Sequence, residues 1–414
     1  MRTGVASVAV VGAGLAGATA VRTLREQGFS GRVTLIGGEP HLPYERPPLS
    51  KAYLTAGAAR ETLQVHPPEF YAAHDIEVVL GRAAARLVPG RGVELVDGTV
   101  AAAERVLLCT GLRPRRLPVS GAALTGVLGV RDLEDAERLR DAVARGGRTV
   151  VVGEGFVGSE VAATLAGLGA EVTLLMGTGL PVQPALGPEA GAWLLARHRA
   201  SGIDVRERSP IRAILGAGQV ESVELADGTV LPADTVVIAV GSAPNADLAA
   251  DAGIRVQDGV LVDERGRTSH PGVYAAGDVA RFPSATFGGT LRVEHWQHAQ
   301  QHAAGAARAV LGGTEAYDRV PWAWSEQHGH RFEIAGLPWS GGVVRRRGDP
   351  DSAEGALWIT VRDGRVVGAV SVNRRRELRA VLRALGRGPV TVDEHALLDP
   401  DADLPSLLTR PATT

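Results

Sequence analysis

The apolar residues of this chain gather in short runs that break on glycine. Val8-Ala9-Val10-Val11 leads directly into Gly12-Ala13-Gly14-Leu15-Ala16-Gly17. A helical period follows from about Ala18 to Gln27, and Arg32-Val33-Thr34-Leu35-Ile36 makes a second run. The same succession recurs in Arg148-Thr149-Val150-Val151-Val152, Gly153-Glu154-Gly155-Phe156-Val157-Gly158, a helical period from about Ser159 to Leu168, and Glu171-Val172-Thr173-Leu174-Leu175. Near-continuous apolar runs mark parallel strands covered on both faces. Strand, glycine turn, helix and strand together make a βαβ unit. The pattern predicts an α/β chain with two Rossmann-like dinucleotide-binding domains. Two more runs exit on glycine, at Cys109-Thr110-Gly111 and Ala239-Val240-Gly241, and they bracket the second repeat. The second domain therefore reads as an insertion into the first. The expected boundaries are 1–111 and 242–316 for the outer domain, 112–241 for the inserted one and 317–414 for a C-terminal domain.

Both turns are G-x-G-x-x-G. In such a turn the first glycine allows the tight bend, the second lets backbone approach a pyrophosphate, and the third lets helix pack on strand, with the helix N-terminus facing the phosphates. Gly12, Gly14 and Gly17 form one candidate cradle, and Gly153, Gly155 and Gly158 the other. Glu39 follows the first unit's second strand at a spacing suited to a ribose hydroxyl. The second cradle lacks that acid. Met176 stands there, Gly177-Thr178-Gly179 brings no arginine for a 2′-phosphate, and Glu154 sets a carboxylate in the turn. A duplicated but inactive site is the alternative, and a working one should discriminate weakly between NADH and NADPH. Asp278, closing Val273-Tyr274-Ala275-Ala276-Gly277-Asp278, is either a polyol ligand or a plain turn residue.

Composition narrows the chemistry. The chain has 414 residues and carries 44 basic against 46 acidic groups, which gives no electrostatic case for nucleic acid. No apolar run is long enough to span a bilayer, and no metal-ligand spacing stands out. The N-terminal residues run straight into a strand, so neither a secretory signal nor a transit peptide is expected, and a cytoplasmic address is. One cysteine, Cys109, excludes a dithiol pair. Every basic residue except Lys51 is arginine. A lysine that persists against such a bias is a candidate for a site that needs a compact ammonium, or it is a surface accident.

These motifs together resemble the FAD-containing, pyridine-nucleotide-dependent ferredoxin reductases of bacterial oxygenase systems. The resemblance runs through Pro43-Tyr44-Glu45-Arg46-Pro47-Pro48-Leu49-Ser50-Lys51, Thr110-Gly111-Leu112-Arg113-Pro114-Arg115, Gly241-Ser242-Ala243-Pro244-Asn245, Ala275-Ala276-Gly277-Asp278-Val279, Arg292-Val293-Glu294-His295-Trp296 and Trp322-Ala323-Trp324-Ser325-Glu326-Gln327. It implies FAD in the first cradle, NADH or NADPH in the second, and a C-terminal α/β domain that closes over the flavin. Relatives that reduce disulphides carry a cysteine pair where this chain has Arg46 to Lys51, so electrons are expected to leave the flavin directly.

The resemblance also assigns residues. Lys51 is expected beside flavin N5, paired with Glu160, where its charge favours the electrons arriving with a hydride. FAD contacts carried over are Gly12, Gly14, Gly17, Glu39, Arg46, Ala84, Arg131, Asp278 and Trp296. For NAD(P)H they are Gly153, Gly155, Gly158, Glu160, Gly241 and Trp324. For both tryptophans ordinary packing is the competing reading. The implied partner is a one-electron carrier, a [2Fe–2S] ferredoxin, docking on a basic surface for which Arg345-Arg346-Arg347 and Arg374-Arg375-Arg376 are candidates; the chain itself is read as monomer or homodimer. Two rivals remain. One is an FAD-dependent biosynthetic oxidoreductase or oxidase with a weakened NAD site; the other is a binding role like that of flavoproteins related to apoptosis-inducing factor.

Overall fold

The computed structural model describes residues 4–56, 59–88, 90–177, 179–399 and 402–408, so Thr178 lies outside the described residues. The described chain forms two compact units. The first comprises the residues up to Glu45, Ala59–Arg113 and Ala243–Pro321. The second comprises the segment that begins at Arg46, Pro114–Ser242, and the chain from Trp322 onward.

The first unit is built on a parallel sheet in the order Val273–Ala275, Arg105–Leu108, Ser7–Val11, Arg32–Ile36, Ile76–Val79. Its central strand is buried from Val8 to Val11, as a strand covered on both faces must be. On one face lie the helices Leu15–Glu26 and Trp296–Val310. They meet through Ala16, Ala20, Val21 and Leu24 on one and Ala303, Ala307 and Val310 on the other, and these small residues let the axes approach closely. Cys109 is part of this core, and burial pushes its thiol up to about 12. It is a packing residue.

The second unit repeats the plan. Its parallel sheet runs Asp204–Arg206, Glu171–Leu175, Arg148–Val152, Thr235–Ile238, Val127–Leu128. Each parallel sheet is accompanied by a three-stranded antiparallel meander, and the two meanders share a hairpin down to its chemistry. Asp97-Gly98-Thr99 and Asp227-Gly228-Thr229 both place glycine at positive φ, and in both the aspartate accepts the threonine N–H at 2.9 Å.

The second unit adds an antiparallel sheet, ordered Trp322–Gln327, His330–Gly336, Arg365–Val372, Ala356–Arg362, Val343–Gly348. One face of it, with Phe332, Ile334, Trp358 and Val370, packs on Leu186, Trp193 and Leu194 of the helix Gln183–Ala200. The architecture is the α/β fold with a C-terminal α/β domain that the sequence predicts. The arginine runs need correction. On the strand Val343–Gly348 alternate residues point to opposite faces. Arg347 is therefore buried, donating to the carbonyls of Leu397, Asp399 and Ala402 at 2.7–2.9 Å. Arg345 pairs with Glu394 at 2.6 Å and Arg374 with Glu377 at 2.9 Å. These three side chains are engaged within the C-terminal domain, while Arg346, Arg375 and Arg376 are exposed.

Candidate functional site

The two glycine turns are superimposable in their contacts. A Cβ on Gly12 would stand 2.1 Å from the Cys109 carbonyl oxygen, and one on Gly153 would stand 2.2 Å from that of Ala239. A Cβ on Gly17 would meet the Gly12 oxygen at 1.9 Å, and one on Gly158 the Gly153 oxygen at 2.0 Å. Gly14 and Gly155 differ from both, since a Cβ on either meets nothing within 4 Å. The outer glycines are thus fixed by protein, while the middle one borders open space at a helix N-terminus. That arrangement fits a pyrophosphate. The helices Leu15–Glu26 and Phe156–Gly167 carry no acid in their first turn.

Within the first unit the other sequence candidates cluster around the first cradle. Glu39 is partly buried and accepts the Tyr44 hydroxyl at 2.5 Å, which holds its carboxylate at the end of its strand. Ala84 opens the strand Ala84–Val88, and the neighbouring Ala83 lies 3.4 Å from a Cβ on Gly38. Asp278 sits in the turn Gly277–Val279, where Gly277 has φ +75° and packs against Ala16 in the first turn of the cradle helix. Trp296 opens its helix and hydrogen-bonds Glu45, whose carboxyl is raised by burial.

Within the second unit the structure assembles a different group. Lys51 Nζ contacts Glu160 Oε2 at 2.5 Å and donates to the Pro47 carbonyl at 3.2 Å. Glu160 is buried in the first turns of Phe156–Gly167, and it accepts Ser50 Oγ at 2.6 Å on the same oxygen and Ser325 Oγ at 2.6 Å on the other. Thr164, one turn further along that helix, donates to the Ser50 carbonyl at 2.8 Å and ties the Lys51 loop to it. The Lys51 side chain keeps 18% exposure against 6% for Glu160, so it is the more accessible member of the pair. Arg46 donates to the Arg131 carbonyl at 2.5 Å, which brings those two candidates together. Gly241 accepts the Arg115 N–H at 2.9 Å. Trp324 stacks on Trp322 at 5.2 Å, with the Arg331 guanidinium 5.7 Å above its ring.

The nucleotide-reading corner differs from the sequence expectation. Met176 is fully buried and cannot address a ribose. Glu154 turns away from its own glycine turn and accepts the Gly177 N–H at 2.9 Å, so a carboxylate does stand at the end of this strand. Arg208 lies 3.8 Å from a Cβ on Gly179. Both come from outside the residues that directly follow the strand, where the spacing rule places such groups. Ser50, Ser325 and Gln327 lie within motifs of the resemblance but were given no role there, and nothing in the sequence singles out Ser159 or His198.

A parallel-sheet unit with a glycine cradle, repeated within one chain, defines a two-dinucleotide oxidoreductase. The chain belongs to the pyridine nucleotide-disulphide oxidoreductase family, whose model matches residues 6–303, and a reductase C-terminal domain matches residues 322–408. It is 38% identical over 403 residues to the biphenyl dioxygenase system ferredoxin–NAD(+) reductase component of Paraburkholderia xenovorans, covering 97% of this chain and 98% of that protein. It is 36% identical to rhodocoxin reductase of Rhodococcus erythropolis over 98% of this chain and 95% of the relative. Among solved structures, a covalent putidaredoxin reductase–putidaredoxin complex matches with a TM-score of 0.93 and 32% identity, covering 97% of this chain and 98% of the other. No helix among the described residues is long and apolar enough to cross a membrane.

Proposed function

We propose that this chain is the reductase of an oxygenase system, taking electrons from NAD(P)H through FAD and passing them singly to a [2Fe–2S] ferredoxin. The observation that carries this reading is the Lys51–Glu160 pair, present in a chain whose one cysteine is buried. One relative is the ferredoxin–NAD(+) reductase component of a biphenyl dioxygenase system, and one structural neighbour is a reductase captured covalently with putidaredoxin. FAD belongs in the 1–111 and 242–316 segments and NAD(P)H in 112–241. When bound, FAD supplies the conversion of a two-electron hydride into single electrons.

The protein's own residues bind and orient. Gly12, Gly14 and Gly17, with Glu39, Arg46, Ala84, Arg131, Asp278 and Trp296, hold FAD. Gly153, Gly155, Gly158, Gly241 and Trp324 hold the nicotinamide dinucleotide. Lys51 presents a positive charge to the ring that receives the hydride, and Glu160 holds Lys51 in place. Glu154 is the carboxylate available to the adenosine ribose, which favours NADH over NADPH.

The test is anaerobic mixing of the FAD-loaded protein with NADH or NADPH, followed by a [2Fe–2S] ferredoxin and, separately, by oxygen. The reading expects prompt flavin bleaching by nucleotide and faster reoxidation by ferredoxin than by oxygen. A flavin that neither nucleotide bleaches, but an organic substrate does, would establish the oxidase rival.

A further inference from the structure

Glu160 is the inner end of a longer construction. Ser325 Oγ donates to its Oε1 at 2.6 Å, Gln327 Nε2 lies 3.0 Å from Ser325 Oγ, and Ser159 Oγ lies 2.6 Å from Gln327 Oε1. His198 Nε2 is 2.8 Å from Ser159 Oγ, His328 Nε2 is 2.9 Å from His198 Nδ1, and Ser201 Oγ is 2.9 Å from His328 Nδ1. Ser325, Gln327, Ser159 and His198 are all buried, and Ser201 is exposed. The series joins the helices Phe156–Gly167 and Gln183–Ala200 to the strand Trp322–Gln327, and every member belongs to the second unit.

From Ser325 to His328 the donors can be ordered in only one way. A carboxylate only accepts, so the single hydrogen of Ser325 goes to Glu160 and Ser325 Oγ must accept from the Gln327 amide nitrogen. That fixes the amide orientation and leaves Gln327 Oε1 to accept from Ser159. Ser159 has then spent its hydrogen and must accept from His198 Nε2–H. His198 is held neutral by burial, its pKa lowered to about 3, so it has one hydrogen to place. Its Nδ1 is therefore bare and accepts from His328 Nε2–H. Every hydrogen from His328 inward points toward Glu160, whereas Ser201 gives its own to the Arg197 carbonyl at 2.9 Å. An amide nitrogen has no lone pair with which to take up a proton, so the chain conveys orientation and does not conduct.

We propose that Ser325, Gln327, Ser159 and His198 are positioning residues that hold the Glu160 carboxylate in the orientation in which it pairs with Lys51, as a one-way hydrogen-bond chain anchored at the surface by His328 and Ser201. The chain behaves as a unit, because reversing any one link leaves a buried group unpaired unless all reverse together. Its effect on catalysis rests on the reading that Lys51 and Glu160 serve the flavin. Its existence does not.

The decisive experiment is imidazole nitrogen spectroscopy of the FAD-loaded protein carrying ¹⁵N-labelled histidine, with the His198 signal assigned by its loss in His198→Gln. The wild type should show His198 as the Nε2–H tautomer. In Glu160→Gln the amide oxygen must face Lys51 and Ser50, so its NH₂ faces Ser325 and every link reverses. His198 should then become the Nδ1–H tautomer. A wild type already in the Nδ1–H form, or an unchanged tautomer in Glu160→Gln, overturns the chain whatever the flavin does. Gln327→Met removes both amide groups and should slow flavin reduction about tenfold at saturating nucleotide, with KM and FAD content held. An unchanged rate in that variant overturns the positioning role. Tautomer inversion together with an unaltered rate in Lys51→Met would leave the chain standing and remove the assignment of Lys51 to the flavin.

Discussion

Lys51 is the one lysine among 44 basic residues, and its ammonium meets a buried carboxylate that has already accepted two serine hydroxyls. Glu160 is thus engaged by protein on both oxygens, and Lys51 is the more exposed member of the pair. Lys51→Met keeps most of the side-chain length and removes the charge. It should slow flavin reduction by NAD(P)H about a hundredfold, the scale for losing one electrostatic stabiliser, while FAD stays bound. Stopped-flow reduction at the wild-type rate would end that assignment. Glu154 carries the second residue-scale prediction. Its carboxylate sits on the Gly177 N–H, beside the place where Met176 offers nothing. Glu154→Gly should lower kcat/KM for NADH by about ten- to a hundredfold, the worth of a charge-assisted hydrogen bond, and should penalise NADPH less. Equal losses for both nucleotides, or none for NADH, would mean that another group reads the ribose. Met176→Glu, the change that the sequence alone suggests, would force a carboxylate into the core and cost stability before it told anything about specificity.

At the scale of the element, the glycine turns separate what the fold requires from what a ligand requires. Gly12→Ala puts a methyl 2.1 Å from a backbone oxygen at φ +112°, so it should destabilise the FAD-free protein as well as the loaded one. The Cβ of Gly14→Val meets no protein atom within 4 Å and the backbone there is extended, so FAD-free stability should change little while FAD uptake is lost. Thermal melts with and without FAD check both; a Gly14→Val protein that loads FAD normally would show that the open space is not the pyrophosphate's. These turns were legible in the sequence because strand, glycine spacing and helix are contiguous, and each is dictated by local backbone geometry. The arginine runs were misread for an equally physical reason. A run of like residues on a strand alternates between faces, so Arg346 is exposed while Arg347 is buried among carbonyls. The chain from Glu160 to Ser201 was invisible because its members come from separate segments and each alone is an ordinary polar residue. Only tertiary structure, followed by the counting of hydrogens, makes them a sequence of donors.

Across the whole molecule, both units store neutral histidines in their cores. In the first unit burial lowers His302 to about 3, His295 to about 4 and His298 well below its ordinary value; in the second it lowers His198 to about 3. In the unfolded chain these rings bind protons near pH 6.5, whereas in the folded chain His302, His198 and His295 stay neutral until about pH 3–4. Between those limits unfolding takes up protons, so the stability they contribute is complete above about pH 6.5 and is lost as pH falls through that window. At pH 5 the loss is about 2 kcal/mol for each such histidine, a large share of a typical folding free energy. His302 isolates the effect, because neither ring nitrogen has a hydrogen bond and the ring stacks on Tyr317 at 4.6 Å. His302→Phe preserves that stacking and removes the titration. Unfolding free energy measured by denaturant between pH 5 and 6 should then depend on pH less steeply, by about 1.2 kcal/mol per unit, the equivalent of nearly one proton. A variant with the wild-type slope would mean that His302 titrates normally in the folded protein and that the acid sensitivity lies elsewhere.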